Sequence, residues 1–334
     1  MTDIRQIFSL PKGAFLFAIG GVILALLLLA PLALFVGPTA AQAAYLGALL
    51  FLGPSRHLPG TWVLGAAAWA MGISILGYLI GPLGLGPLTL ALIVVSLGQG
   101  LFRLDSVAAL TRSPVNLVVY AGLADSRPDV PLWHVVLGTL VGVAIVLGAG
   151  RILEAHSKPI ITAAPAPMTI RYRLRYGTML AAGGAAILLI SELVHFPYAP
   201  WALLSFCLIL AVDEHDRSRL AGNRVLGTVA GVLLATAATL VPQPGPMILA
   251  VLSALACVAY LRVGKYGPFM MFLTPTIILT TSSDQPGYVL GIERIAAIAA
   301  SAIIALACTW VAGMLDRRRH LGPRATRELV TGED

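Results

Sequence analysis

Stretches of about 20 apolar residues recur along almost the whole chain, and this recurrence limits what the chain can fold into. A helix needs roughly 20 such residues to cross the hydrocarbon core of a bilayer, which is about 30 Å thick. Of the 334 residues, 58% are hydrophobic and only 11% are charged, whereas soluble domains carry about 25% charged residues. The sequence therefore predicts an all-α integral membrane protein without a sizeable soluble domain.

Turn signals rich in Gly and Pro separate these apolar stretches into about twelve predicted transmembrane helices. The predicted spans are 13–36, 39–53, 61–80, 86–102, 106–123, 132–150, 177–194, 198–213, 221–241, 246–262, 265–281 and 289–314. The longest polar interval divides them into two groups of six. The expected organisation is a first six-helix membrane unit at 1–150, a cytoplasmic linker at 151–176, a second six-helix membrane unit at 177–314 and a cytoplasmic tail at 315–334.

The two groups of six helices share short sequence matches at nearly one spacing. The matched segments are Gly20-Gly21 with Gly183-Gly184, Val63-Leu64-Gly65 with Val225-Leu226-Gly227, and Ser113-Pro114 with Thr274-Pro275. Internal repeats of this kind mark a duplicated unit. Because each unit has six helices, both enter the membrane from the same face. We therefore predict two parallel repeats, with a site between them.

Basic residues fall mostly on one side of the predicted membrane. Of the 22 Lys and Arg residues, all but Arg112, Arg127 and Arg294 lie on the side of the N-terminus. The positive-inside rule then places both termini in the cytoplasm, with the chain in a bacterial inner membrane. These basic clusters lack the interleaved aromatic residues of a nucleic-acid surface, so no nucleic-acid partner is expected.

A hydroxyl residue followed by proline occurs in the fifth predicted helix of each half. A proline inside a membrane helix frees one backbone carbonyl, which then needs a neighbour, a water or a ligand. Interrupted helices at matched positions can mark a transport site, which makes Ser113, Pro114, Thr274, Pro275 and Thr276 candidate substrate-binding residues. A simple structural kink explains the prolines equally well, and the hydroxyls could instead bond to their own helices.

Charge inside a predicted membrane helix is a sharper signal, because burying an ionised side chain in a bilayer is costly. Arg112 precedes the Ser113-Pro114 pair, and Arg294 lies at the outer end of the last helix. A guanidinium suits bidentate binding of a carboxylate, so both are candidate substrate-binding residues. Alternatively, Arg112 reaches the cytoplasmic surface or pairs with Asp105, and Arg294 pairs with Glu293 or contacts lipid headgroups.

Other polar residues near the predicted membrane are fewer. Proton-coupling candidates are His134, Glu192 and His195, since histidine titrates close to neutrality; ordinary interfacial positions are the alternative. Arg224 is expected to anchor the ninth helix at the cytoplasmic interface. The chain has no zinc-protease motif, phosphate loop or nucleophile elbow, so the sequence predicts neither an enzyme nor a bound cofactor or metal.

Three segments of the second half carry a family resemblance. They are Arg224-Val225-Leu226-Gly227-Thr228-Val229-Ala230-Gly231, Tyr266-Gly267-Pro268-Phe269 and Glu293-Arg294. In these segments the chain resembles the fusaric acid resistance-like family, the aromatic acid exporters. The resemblance is best over 177–314, and the first copy extends it to most of the chain. Family members carry large cytoplasmic domains after each six-helix unit, where this sequence has only the linker and the tail.

The resemblance implies an inner-membrane transporter that expels aromatic or other hydrophobic carboxylates, driven by proton-motive force. The partners it suggests are a small organic anion, the lipid bilayer, a periplasmic adaptor protein and a second copy of the chain. Plant malate channels are distantly similar, so a passive anion channel is one alternative. Another is a membrane scaffold that transports nothing and docks a cytoplasmic partner.

Overall fold

The computed structural model describes residues 8–11, 13–58, 61–104, 107–108, 110, 112–126, 129–156, 168–196, 198–212, 217–263, 265–280 and 287–321. Within them the chain forms twelve helices, a short 3-10 turn at Gly81–Leu83 and a hairpin of two-residue strands. The helices are α1 (Ala14–Phe35), α2 (Pro38–His57), α3 (Thr61–Ile80), α4 (Leu85–Leu101), α5 (Ser113–Ser126), α6 (Leu132–His156), α7 (Ile170–Leu193), α8 (Ala199–Ala211), α9 (Arg217–Thr239), α10 (Gly245–Val263), α11 (Tyr266–Thr280) and α12 (Gly287–Leu321). The strands are β1 (Arg103–Leu104) and β2 (Val107–Ala108).

The observed helices follow the predicted spans, with three larger differences. The seventh helix begins at Ile170 and not at 177, within the predicted linker, and the last helix continues to Leu321 beyond the predicted 314. The fifth helix begins at Ser113 and not at 106, because the antiparallel β1–β2 hairpin precedes it. Pro114 therefore lies in the first turn of α5, where the N–H groups have no intrahelical partner and a proline removes no hydrogen bond. The predicted interruption is wrong for Pro114. Pro275 lies inside α11 as predicted, and the helix continues through it to Thr280.

In the part of the chain that the structure describes, five helical segments are long and apolar enough to cross a membrane. They are α1, α3 with the 3-10 turn that follows it, α7, α9 and α12, and shorter apolar helices accompany them. Large apolar side chains cover much of the exposed surface, such as Leu16, Leu34 and Leu240, each more than 70% exposed. Such a surface is costly in water and suits a lipid environment.

Helix pairs build the fold. In the first half α2 packs against α6 and α3 against α5; in the second half α8 packs against α12 and α9 against α11. Two further pairs cross between the halves, α4 with α7 and α1 with α10. At the α4–α7 contact a Cβ on Gly100 would lie 2.6 Å from the Cα of Gly177, so the two backbones meet with no side chain between them. Small residues at membrane helix contacts allow this approach.

Two buried arginines close the end of α8. Arg217 donates from Nε to the carbonyl of Val212 at 3.0 Å, from Nη2 to the carbonyl of Leu210 at 3.2 Å and from Nη1 to Oγ1 of Thr309 at 2.9 Å. Arg103 adds a contact of 3.5 Å from Nη1 to the same Leu210 carbonyl. The last carbonyls of a helix lack intrahelical donors and carry partial negative charge, so these cations stabilise the helix end.

Candidate anion site

Arg294 is a buried cation whose hydrogen-bonding capacity is not filled. It lies in the third turn of α12 and is 3% exposed. Its guanidinium carbon lies 5.0 Å from the ring centre of Trp201, in the first turn of α8. Within the residues that the structure describes, its Nε has no hydrogen-bond partner. A buried charge of this kind is costly unless something pairs with it.

Aromatic rings surround the Trp201 side of this arginine. Tyr198 stacks on Trp201, with ring centres 4.1 Å apart and planes 7° apart. Phe196 meets Tyr198 edge to face at 5.8 Å. The phenol of Tyr198 is uncharged at physiological pH, as a tyrosine side chain ordinarily is. The aromatic group of Phe196, Tyr198 and Trp201 therefore adds no negative charge beside Arg294.

Arg224 is a second buried cation and an electrostatic neighbour of Arg294. Its side chain is 1% exposed, its Nη1 donates to the hydroxyl of Tyr266, and its Nε has no hydrogen-bond partner among the described residues. Arg224, which the sequence suggested as an interfacial anchor of α9, is buried within the protein. Close packing of α9 on α11, at Gly227 and Gly231, brings Tyr266 over the arginine and covers it.

Arg112 is the third cation of this neighbourhood. It lies just before α5 and is partly accessible, although protein atoms surround it on most sides. Its electrostatic neighbours are Tyr45 of α2, Arg224 and Tyr266. Asp105, the alternative partner predicted from the sequence, lies outside the described residues. Arg224 is thus within electrostatic range of both Arg112, from the first half, and Arg294.

Together these three arginines form a cationic cluster, contributed by the start of α5, by α9 and by α12. Like charges in a medium of low dielectric constant repel strongly, and an anion placed among them relieves that repulsion. The free Nε groups of Arg224 and Arg294 offer donors to a carboxylate. Chemically, the cluster can attract an anion and orient it, and the aromatic group can contact an apolar body attached to that anion.

The segment that contributes Arg224 and Arg294 to this cluster matches a known protein family. Residues 185–308 match the family model described as fusaric acid resistance protein-like. The resemblance drawn from the sequence is confirmed over these residues. Neither a curated protein nor a solved structure matches the chain significantly.

The fusaric acid resistance protein-like segment runs from within α7 to within α12 and includes Trp201, Arg224, Tyr266 and Arg294. Proteins of this family are transporters rather than enzymes. With the five long apolar segments, the match identifies the chain as a multi-pass membrane protein.

Ser113 and the residues around Pro275 make packing contacts. The hydroxyl of Ser113 accepts a hydrogen bond from Nε1 of Trp69 at 3.0 Å, and its N–H donates to Oε1 of Gln99 at 3.2 Å. Within the fusaric acid resistance protein-like segment, Thr274 and Thr276 donate to carbonyls one turn earlier in α11, at 3.1 and 2.9 Å. This is the back-bonding alternative.

The carbonyl that Pro275 frees belongs to Met271, one turn earlier in α11. It faces Gly231 of α9, where a Cβ would lie 2.5 Å from it. An approach of this kind lets the glycine backbone cover the freed oxygen through weak C–H contacts. Pro275 and Gly231 therefore form a helix contact next to the arginine cluster.

The three proton-coupling candidates occupy different surroundings. Glu192 and His195 are exposed at the end of α7, and His195 has a left-handed backbone with φ of 54°. His134 is partly buried at the start of α6 beside Gly37, and its Nδ1 has no hydrogen-bond partner in the described part of the chain. None of the three is among the electrostatic neighbours of Arg112 or Arg294.

Sequence reasoning found Arg112 and Arg294 but missed the aromatic residues beside them. Trp201 follows a proline turn at a helix start, where tryptophan ordinarily anchors a helix at the membrane interface. Tyr266 opens one of the three segments that carried the family resemblance, which is a signal that could have selected it. Tyr45 of α2 carries no signal in the sequence, and its link to the cluster is electrostatic, through Arg112.

Proposed function

We propose that the protein is an inner-membrane efflux transporter for organic anions, chiefly aromatic or hydrophobic carboxylates, driven by proton-motive force. The single observation that carries this proposal is the state of Arg294. Its side chain is only 3% exposed and lies against Trp201, and its Nε has no hydrogen-bond partner among the described residues. Intramembrane arginines are costly and are retained where a charged solute or partner needs them.

The carboxylate of the substrate is expected at Arg294, with Arg224 and Arg112 extending the positive potential toward the other end of the pathway. A guanidinium and a carboxylate form two parallel charge-assisted hydrogen bonds. Three cations in series spread the positive potential along the pathway, so that an anion can pass from one guanidinium to the next and is not confined to a single one. Binding strong enough to enter and weak enough to leave is what transport requires.

The ring of the substrate is expected against the aromatic group. Offset stacking or edge contacts with Trp201 and Tyr198 favour an aromatic ring over an aliphatic chain of similar area by about 0.5–1.5 kcal/mol. Ser113, Pro114, Thr274, Pro275 and Thr276 take a supporting role in this proposal, holding α5 and α11 in place around the cluster.

The architecture that we propose is two parallel repeats of six helices, at 1–150 and 177–314, joined by the linker at 151–176 and followed by the tail at 315–334. Equivalent helices pack in equivalent pairs: α2–α6 corresponds to α8–α12, α3–α5 to α9–α11, and α4–α7 to α10–α1. These matched pairs support a duplication. Arg112 from one repeat and Arg224 with Arg294 from the other then lie between the halves.

The proposed orientation has both termini in the cytoplasm. An even number of helices and the bias of Lys and Arg toward the side of the N-terminus support it. In that orientation Trp201 and Arg294 lie toward the periplasm, where an exporter releases its solute. A periplasmic adaptor would dock on that side, and a second copy of the chain is the other partner that this proposal allows.

Proton coupling is assigned to His134, Glu192 and His195, of which His134 is the strongest candidate because its Nδ1 is buried without a partner among the described residues. One observation favours a second function, a passive anion channel: these three residues are not electrostatic neighbours of Arg112 or Arg294. A channel needs the cationic pathway and no proton carrier.

Transport in liposomes of the purified protein tests the proposal. The probe is radiolabelled phthalate, an aromatic anion that is doubly charged at neutral pH and crosses bare liposomes slowly. We expect uptake that a pH gradient accelerates and that His134→Gln makes insensitive to the gradient. Phthalate currents that persist unchanged without a gradient would establish the channel instead, and the absence of phthalate movement above protein-free liposomes would exclude both functions.

A further inference from the structure

A groove of about 850 Å³ lies on the outer surface between α7 and α12, away from the arginine cluster. Its α7 wall begins at Thr169 and continues to Ala182, and its α12 wall is formed by residues 307–312. The groove is open to the outside of the protein, since several of its lining residues are exposed, among them Ile170 at 60% and Val311 at 46%. The function proposed above makes no use of it.

One end of this groove is basic. Arg171 and Arg175 are four residues apart on α7, so they lie on the same face of that helix. They also lie in the first two turns of α7, where the helix macrodipole adds positive potential. Thr178 follows one turn further on and donates its hydroxyl to the carbonyl of Leu174 at 2.8 Å. This end of the groove suits a phosphate or another anion.

The other end of the groove is apolar. Met179 and Ala182 of α7 face Ala307, Cys308 and Val311 of α12 across it. Among the described residues that line this part, none is charged. The groove therefore changes from cationic to apolar along its length. An anionic amphiphile, with a negatively charged head and an apolar tail, is complementary to it.

Length distinguishes between amphiphiles. The fourteen residues from Thr169 to Ala182 extend about 20 Å along a helix, at a rise of roughly 1.5 Å per residue. One leaflet contributes about half of a hydrocarbon core of about 30 Å, so the groove spans a headgroup and most of one acyl chain. A small aromatic acid would fill only its basic end.

We propose that this groove binds an anionic phospholipid from the cytoplasmic leaflet. Its phosphate lies at Arg171 and Arg175, and an acyl chain follows Met179, Ala182 and Val311 toward the membrane centre. The basic end faces the cytoplasm in the proposed orientation, and that leaflet carries anionic lipid that attracts basic segments near the membrane surface.

The test is retention of added lipid by the purified full-length protein, measured by native mass spectrometry with phosphatidylglycerol or phosphatidylcholine. We expect the unchanged protein to retain phosphatidylglycerol in preference. Arg171→Gln and Arg175→Gln should each weaken retention about fivefold, and the double variant roughly 30-fold. Arg219→Gln, which removes an exposed arginine elsewhere on the same side, should leave retention unchanged.

A second variant keeps all charges. Ala182→Phe fills the apolar end and should also weaken phosphatidylglycerol binding, which a site for a soluble anion would not show. Equal retention by the double variant and Arg219→Gln would overturn the proposal. So would displacement of the lipid by phthalate together with unchanged binding in Ala182→Phe. Arg294→Gln should retain the lipid fully, so failure here and failure of the transport proposal are distinguishable.

Discussion

The guanidinium carbon of Arg294 lies 5.0 Å from the ring centre of Trp201, and the two residues come from different helices, α12 and α8. A cation over an indole face is stabilised by up to about 2 kcal/mol when both are removed from water. That contact holds the guanidinium without using its N–H donors. The pair therefore positions a buried cation while leaving Nε available to an incoming carboxylate.

Replacing the indole should change selectivity more than affinity for the charge. In Trp201→Leu we expect the preference for phthalate over an aliphatic dicarboxylate of similar size to fall roughly two- to tenfold, because a ring–ring contact is lost. Competition between the two solutes in the liposome assay measures it. Trp310→Leu, at a position 63% exposed on α12, is the matched control, and an equal fall in both variants would show that Trp201 does not contact the ring.

Buried arginines in this protein should differ in their effect on stability. Arg217 makes three hydrogen bonds, so Arg217→Met should lower the free energy of unfolding by on the order of 3 kcal/mol. Arg294 has an unpartnered Nε, so Arg294→Met should leave stability unchanged or raise it by roughly 1 kcal/mol. Thermal unfolding in detergent compares the two. A large loss of stability in Arg294→Met would mean that the arginine serves the fold.

The contact between α9 and α11 should be intolerant of a single methyl group. Gly231→Ala places a Cβ 2.5 Å from the Met271 carbonyl and should lower the free energy of unfolding by roughly 1–3 kcal/mol. Gly222→Ala lies on the same helix with nothing within 4 Å of its Cβ, and should gain about 0.5–1 kcal/mol. If both variants unfold at the same temperature, the close approach at Gly231 is not required.

Hydropathy and turn residues predicted nearly all of the helix positions, because a membrane helix is defined by its own apolar length. One exception was the segment before Ser113, where β1 and β2 pair and α5 begins only at Ser113, a start that suits Pro114 because proline is favoured in the first turn of a helix. The other was the start of α7, which lies within the predicted linker. The burial of Arg217 was not predicted either. From the sequence it is one of several cytoplasmic basic residues, and only the packing of α8 on α12 shows that it is buried.

The candidate site could be predicted only in part, because it depends on contacts between helices far apart in the chain. Arg112 and Arg294 were visible as charges in apolar stretches. Arg224 is equally visible in the sequence as a charged residue. Its burial under Tyr266 depends on the close packing of Gly227 and Gly231 against α11. Trp201 lies more than 90 residues before Arg294, and no local pattern connects the two.

The most direct test of the account is phthalate transport by Arg294→Gln, compared with Arg219→Gln as the control for charge. Loss of a charge-assisted carboxylate contact should weaken the apparent affinity for phthalate roughly 10- to 100-fold, while Arg219→Gln should transport it as the unchanged protein does. Transport by Arg294→Gln with an unchanged apparent affinity would contradict the central claim that Arg294 binds the carboxylate of the solute.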